Sequence, residues 1–145
     1  MQFQMWIDGK WLNAQNGNTW DVTNPATEET ITTVPFGDAA DAESAILAAK
    51  RAQPGWAALG AWERAEPLKQ VALLVQQHLE ELATIMTRES GKPLAESRGE
   101  WGTVAQMFEW FAEEGKRAYG RTIPARKTHK RLVVVPEAVG VVATI

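Results

Sequence analysis

Two histidines, His78 and His129, are the side chains best suited to proton transfer or metal binding, and neither has a second ligand at metal-site spacing. No metal is expected. The adjacent pairs Glu80-Glu81 and Glu113-Glu114 fall within helical stretches, where consecutive residues point in different directions and cannot share one site; they read as solvated faces. The chain has no cysteine, which removes disulfides, thiolate metal sites and a cysteine nucleophile together. Gly91, Gly99 and Gly102 form neither a G-x-G-x-x-G nor a P-loop, so no phosphate cradle is legible. The basic run Arg126-Lys127-Thr128-His129-Lys130-Arg131 contains no aromatic residue and lies in a chain of net charge −3. It reads as a solvated loop, and no nucleic-acid partner is expected.

The elements that would position any chemistry divide into strands, helices and strands again. Between Phe3 and Pro35, Asp8-Gly9, Asn16-Gly17 and Asn24-Pro25 punctuate short runs such as Met5-Trp6-Ile7 and Thr30-Ile31-Thr32-Thr33-Val34. Residues tolerant of positive φ at those points predict a small β meander. Three main helices follow. The first runs from the cap Asp38 to about Gln53, with Ala42, Ile46, Ala49 and Ala52 on one face and Pro54-Gly55 as its stop. The second begins near Ala65, because Pro67 is awkward inside a helix, or else kinks there. Leu68, Val71, Ala72, Val75, Leu79, Leu82, Ala83 and Met86 give it a continuous stripe as far as Gly91. The third spans about Leu94 to Tyr119 and aligns Trp101, Val104, Phe108, Phe111 and Gly115. A polar loop leads to a strand at Leu132-Val133-Val134-Val135, and Gly140 to Ile145 reads as a second, buried strand. The seven tryptophans are expected to cement packing.

With 145 residues, 45% hydrophobic and 23% charged, the chain has a soluble domain's composition. It shows no leader and no apolar run near the roughly 18 residues of a membrane span, so the expected setting is the cytoplasm, without a membrane partner.

In order along the chain, Ile7-Asp8-Gly9-Lys10-Trp11, Asn24-Pro25-Ala26-Thr27, Trp62-Glu63-Arg64, Glu89-Ser90-Gly91-Lys92-Pro93-Leu94 and Val139-Gly140-Val141-Val142 resemble the opening of the NAD(P)-dependent aldehyde dehydrogenase superfamily. The stretch Glu109 to Arg117 is similar to the succinate-semialdehyde branch. The resemblance covers the whole chain but only about a third of a family member. It implies an enzyme in which a cysteine attacks the aldehyde, an asparagine holds the oxyanion, NAD or NADP takes the hydride, and a glutamate activates water. All of those residues would lie beyond Ile145. It therefore implies that this chain alone is inactive, holds no cofactor by itself and contributes no catalytic residue.

The resemblance further places the backbone of Ile145 against the dinucleotide and puts Thr103, Met107 and Trp110 at a substrate entrance. Core packing is the competing role for Met107 and Trp110. Glu89 and the backbone of Thr23 match positions near a monovalent cation in some relatives, against the plainer reading of a surface carboxylate. The implied fold is an incomplete α/β domain. Residues 1–131 form the N-terminal part of a cofactor-binding domain, 132–138 a strand of an oligomerisation hairpin that pairs with another subunit, and 139–145 the first strand of the dinucleotide-binding sheet. A small aldehyde and a homo-oligomeric partner follow. The rival class is a short, non-catalytic helical binding or subunit-interaction module.

Overall fold

The computed structural model describes residues 3–144. Two antiparallel hairpins come first: β1 (Met5–Ile7) with β2 (Lys10–Leu12), and β3 (Thr19–Thr23) with β4 (Thr30–Pro35). Asp8 (φ 54°) and Gly9 (φ 75°) form the tight turn between β1 and β2, the left-handed pair that matches strand twist. The meander expected from sequence is not continuous, because β2 and β3 do not pair. Asn16-Gly17 makes a local turn instead, closed by the Gly17 amide donating to the Ala14 carbonyl at 2.9 Å.

Four helices follow, not three: α1 (Ala39–Ala58), α2 (Ala61–Gln77), α3 (Leu79–Ser90) and α4 (Leu94–Glu114), the last continued by one 3-10 turn, Gly115–Arg117. The α1 cap is the one read from sequence. The Asp38 carboxylate accepts from the Ala40 amide at 2.9 Å, and Asp41 accepts from the Asp38 amide at 3.1 Å. Pro54 does not stop α1, because its fixed φ is compatible with a helix and it forfeits only the hydrogen bond to the Lys50 carbonyl. For the same reason α2 starts at Ala61, four residues before the expected position, with Pro67 inside it. The expected second helix is divided at His78 (φ −103°, ψ 16°). His78 still donates to Leu74 and accepts from Leu82, each at 3.0 Å, so the division bends the chain without ending the hydrogen-bond ladder. The apolar stripe from Leu68 to Met86 accordingly stays off the exposed surface on both sides of the bend.

Helix α4 is the hub, packed most extensively on α2 and next on α3. The buried contacts are small: Ala65, Ala72 and Val75 of α2, Ala83 of α3, and Ser97, Ala105 and Ala112 of α4. Small side chains let the helix backbones approach closely. The buried Ser97 hydroxyl is paired with Thr87 Oγ1 at 2.8 Å. Helix α1 turns the opposite way from its expected face: Ala42, Ile46, Ala49 and Ala52 are exposed, whereas Asp41 and Ala48 are buried. The cause is Asp41. Its carboxylate also accepts from the Gln15 amide at 3.2 and 3.3 Å, and this polar anchor sets the helix rotation over a weak alanine stripe.

A third hairpin, β5 (Arg121–Ile123) with β6 (Leu132–Val134), follows the helices. The expected strand is β6. Its partner, β5, lies in the stretch read as a polar loop, and Ile123 is the one apolar residue of that strand. Residues 140–144 form no strand, since no neighbouring strand among the described residues offers them a ladder.

Candidate functional site

The resemblance points to one face of α4, and the structure shows what that face holds. Thr103, Met107 and Trp110 are spaced by four and three residues, which puts them on one side of the helix. Thr103 is exposed and donates its hydroxyl to the Gly99 carbonyl one turn back, at 3.0 Å. Met107 is 51% exposed and Trp110 62%. Core packing is therefore not what either side chain does among the described residues. Met107 lines an open groove of about 410 Å³ with Leu68 of α2 and Val104, Phe108 and Phe111 of α4. Thr103 and Trp110 lie outside that lining. Ile145, the expected dinucleotide contact, lies outside the described residues.

The groove is apolar throughout, so it offers shape and hydrophobic contact and no charge. Helical spacing assigns Leu68, Val104, Phe108 and Phe111 to a helix core and gives no hint that they frame an opening. A signal is present all the same: Val104, Met107, Phe108, Trp110 and Phe111 cover more than one side of a single helix, as happens when a helix is buried against two bodies.

At the far end of α4 the helices are clamped electrostatically. Glu113 Oε1 accepts from Lys116 Nζ and from Lys69 Nζ of α2, each at 2.8 Å. The Lys116 hydrogen bond, then that of Lys69, holds the Glu113 carboxyl at about 2, well below its ordinary 4.5. The same carboxylate raises Lys69, chiefly through their hydrogen bond. Arg98 of α4 grips Glu80 of α3 with Nε and Nη2, each at 2.8 Å, which lowers the Glu80 pKa. These groups join helices on the surface, and Lys69 and Glu113 also line a hollow of about 390 Å³ with Ala72, Leu73, Gln76 and Glu109. Among the described residues no group of three or more His, Cys, Asp or Glu could hold a metal ion, and no helix is long and apolar enough to cross a membrane. His78 Nδ1 lies 3.2 Å from Glu81, its neighbour one turn on.

The motifs themselves turn out to be folding devices. Asn24 Oδ1 accepts from the Ala26 amide at 2.9 Å, and the Asn24 amide donates to the Glu29 carbonyl at 2.9 Å, closing the β3–β4 turn. That turn lies against the end of α3, where Gly91 (φ 71°) closes the helix by donating to the Thr87 carbonyl at 2.9 Å. A Cβ on Gly91 would meet Pro25 Cγ at 3.0 Å, so the segment Asn24 to Thr27 and the segment Glu89 to Leu94 are in direct contact. Glu63 Oε2 accepts from the Gly60 amide at 2.7 Å at the start of α2, and Arg64 donates to the Leu59 carbonyl.

Residues 11–145 match the sequence profile of the aldehyde dehydrogenase family. The chain belongs to that family. Among curated relatives, the NADP-dependent succinate-semialdehyde dehydrogenase of Escherichia coli is 49% identical over 142 residues, 98% of this chain and 30% of that enzyme. The glutarate-semialdehyde dehydrogenase of Pseudomonas putida is also 49% identical over the same share of each chain. A crystal structure described as an E. coli NADP-dependent enzyme superposes with a TM-score of 0.89 at 49% identity, covering 92% of this chain and 28% of that one. The α/β arrangement of helices and strand pairs is thus that of the N-terminal part of aldehyde dehydrogenase structures. This chain spans about 30% of the length of these curated relatives.

Proposed function

We propose that this chain is the N-terminal part of an enzyme that oxidises a small aldehyde to its carboxylic acid, with NAD or NADP as hydride acceptor. In that reaction water supplies the second oxygen of the acid, and the cofactor takes hydride from the aldehyde carbon. The observation that carries the reading is the identity of 49% along 98% of the chain to enzymes acting on semialdehydes. A further relative, the 3-sulfolactaldehyde dehydrogenase of P. putida, is 48% identical. The three named substrates are short aldehydes with an acidic group, which favours succinate semialdehyde or a close analogue as the substrate here.

Within such an enzyme the α4 face of Thr103, Met107 and Trp110 lines the substrate entrance, where the groove beside Met107 contributes apolar contact. The acidic end of the substrate is then held by cations outside that groove. The backbone of Ile145 lies against the dinucleotide, and the β5–β6 hairpin pairs with a neighbouring subunit through its free edge. The 145-residue chain alone does not turn over aldehyde and does not hold a cofactor. It has no cysteine to form the thiohemiacetal from which hydride leaves.

The experiment is to determine the intact mass of the natural protein and assay it with succinate semialdehyde and each cofactor. A mass about three times the 16.0 kDa of this chain, with semialdehyde-dependent reduction of NAD or NADP, is the expected result. A natural protein of 16.0 kDa would overturn the reading in favour of a non-catalytic interaction module. So would reduced cofactor formed by the 145-residue chain itself.

A further inference from the structure

Of the chain's four asparagines, Asn13, Asn16, Asn18 and Asn24, only Asn16 is followed by glycine. A glycine puts no side chain in the way when its backbone nitrogen turns on the preceding side-chain amide, so this pair is the least durable covalently. Both residues are exposed, and no atom beyond the chain neighbours lies within 4 Å of the position a Cβ on Gly17 would take. We propose that Asn16 is a site of spontaneous deamidation, held in check by Asp38, the cap of α1. The reaction uses none of the groups of the proposed oxidation.

The Gly17 nitrogen gives its proton to solvent base and bonds to Asn16 Cγ. The Cγ–Nδ2 bond breaks, and Nδ2 takes up a proton and leaves as ammonia. Water then opens the cyclic imide at either of its two carbonyls. The product is an aspartate at position 16 or its isomer, in which the main chain runs through the former side chain.

Each group that must move is held in the fold. The Gly17 amide donates to the Ala14 carbonyl at 2.9 Å, and the Asn18 amide to Asn16 Oδ1 at 2.8 Å. Those two bonds are internal to one exposed turn. The leaving nitrogen, Asn16 Nδ2, donates to Asp38 Oδ2 at 3.1 Å, and the other Asp38 oxygen is fixed by the Ala40 amide at 2.9 Å. Reaction therefore needs a local opening of the turn, and its rate follows how often Asp38 releases Asn16. The product reverses the contact. A carboxylate at position 16 cannot donate, so two negative charges face each other and the turn is pushed off the α1 cap.

The other candidates are weaker. Asn24 precedes Pro25, which has no N–H to give up. Asn13 and Asn18 precede Ala14 and Thr19, whose side chains hinder the same attack. Asp8-Gly9 offers an open nitrogen, but the Asp8 carboxylate is paired with Arg51 at 3.0 Å, and an ionised carboxylate is a poor electrophile.

Incubating the natural protein at mildly alkaline pH and mapping its peptides by mass spectrometry tests the proposal, each deamidation adding about 1 Da. Asn16 should react first and give both products. Asp38→Ser keeps an oxygen for the Ala40 amide and loses the one that holds Asn16, so it should speed the reaction severalfold, with circular dichroism establishing that the helices remain. Asn16→Asp supplies one product directly and should speed hydrogen exchange at the Gln15 and Gly17 amides. Reaction at Asn13 or Asn18 ahead of Asn16, or none at Asn16, would overturn the site. A rate indifferent to Asp38→Ser would overturn the hold by the α1 cap, and unchanged exchange in Asn16→Asp would overturn the release of the turn.

Discussion

Substituting Gly91 by alanine probes the junction on which the N-terminal half depends. Gly91 sits at φ 71°, where an L side chain crowds its own carbonyl at a cost of about 1–2 kcal/mol. The new methyl would also lie 3.0 Å from Pro25 Cγ, inside ordinary van der Waals contact, and the proline ring cannot swing away as a flexible side chain could. Together these effects should destabilise the fold by about 1.5–2.5 kcal/mol, which for a domain of this size lowers the melting temperature by roughly 5–10 °C. Gly99→Ala is the matched control. That glycine lies inside α4 with nothing within 4 Å of the position a methyl group would take, so alanine should raise stability by about 0.5–1 kcal/mol and melting by a few degrees. Thermal unfolding followed by circular dichroism reads both. Equal melting of Gly91→Ala and the unaltered chain would show that the α3 terminus and the Asn24–Pro25 turn are not held as described, and the reasoning would fail.

Asp41→Ala should cost about 1–3 kcal/mol by leaving the Gln15 and Asp38 amides without their acceptor, and faster hydrogen exchange at Gln15 should accompany it. The Glu113 carboxyl is held below its ordinary value, so its contribution to stability is complete above about pH 4.5 and lost as the pH falls toward about 2. Glu113→Gln should flatten the acid side of the stability profile in that window, and an unchanged profile would remove the Lys69–Glu113–Lys116 clamp from the account. Trp110 is 62% exposed in this chain, so a soluble quencher should reach it here. In the full-length enzyme proposed above, the same residue should be at least partly shielded. Comparing fluorescence quenching of each protein with its Trp110→Phe variant isolates the contribution of this one side chain.

Turn chemistry is the most legible part of the sequence, because few residues tolerate positive φ: Asp8-Gly9 and Gly91 fall where they are expected. Helix interiors are legible where the apolar stripe is long, as from Leu68 to Met86. They mislead where a proline reads as a barrier, since Pro54 and Pro67 each remove one hydrogen bond without ending a helix. The rotation of α1 is illegible in hydropathy because a carboxylate, Asp41, sets it. Strand β5 is hidden because a two-stranded ribbon exposed on both faces needs no alternation of apolar residues. Six of the seven tryptophans, all but the half-buried Trp101, mislead for a related reason. Trp6, Trp11, Trp20, Trp56, Trp62 and Trp110 are all exposed, several against another aromatic ring at the surface and none in a core.

The residues that carry the family likeness are mostly those that close turns and cap helices. Asn24 is tied to its turn by the side-chain oxygen that accepts from the Ala26 amide and Gly91 to its left-handed backbone, and their segments meet across the junction of β3–β4 with α3. A sequence can therefore declare its family through residues that shape its backbone. The same fact separates two kinds of experiment. Changes at Asn24, Glu63 or Gly91 should alter stability and leave substrate preference alone, whereas changes at Thr103, Met107 or Trp110, all exposed and none holding another element in place, should alter preference at nearly constant stability. In the full-length enzyme the second set would show its effect as a shift in the relative kcat/KM for apolar and acidic aldehydes. A loss of stability from the α4 set without any such shift would mean that this face is covered by protein and is not open to substrate.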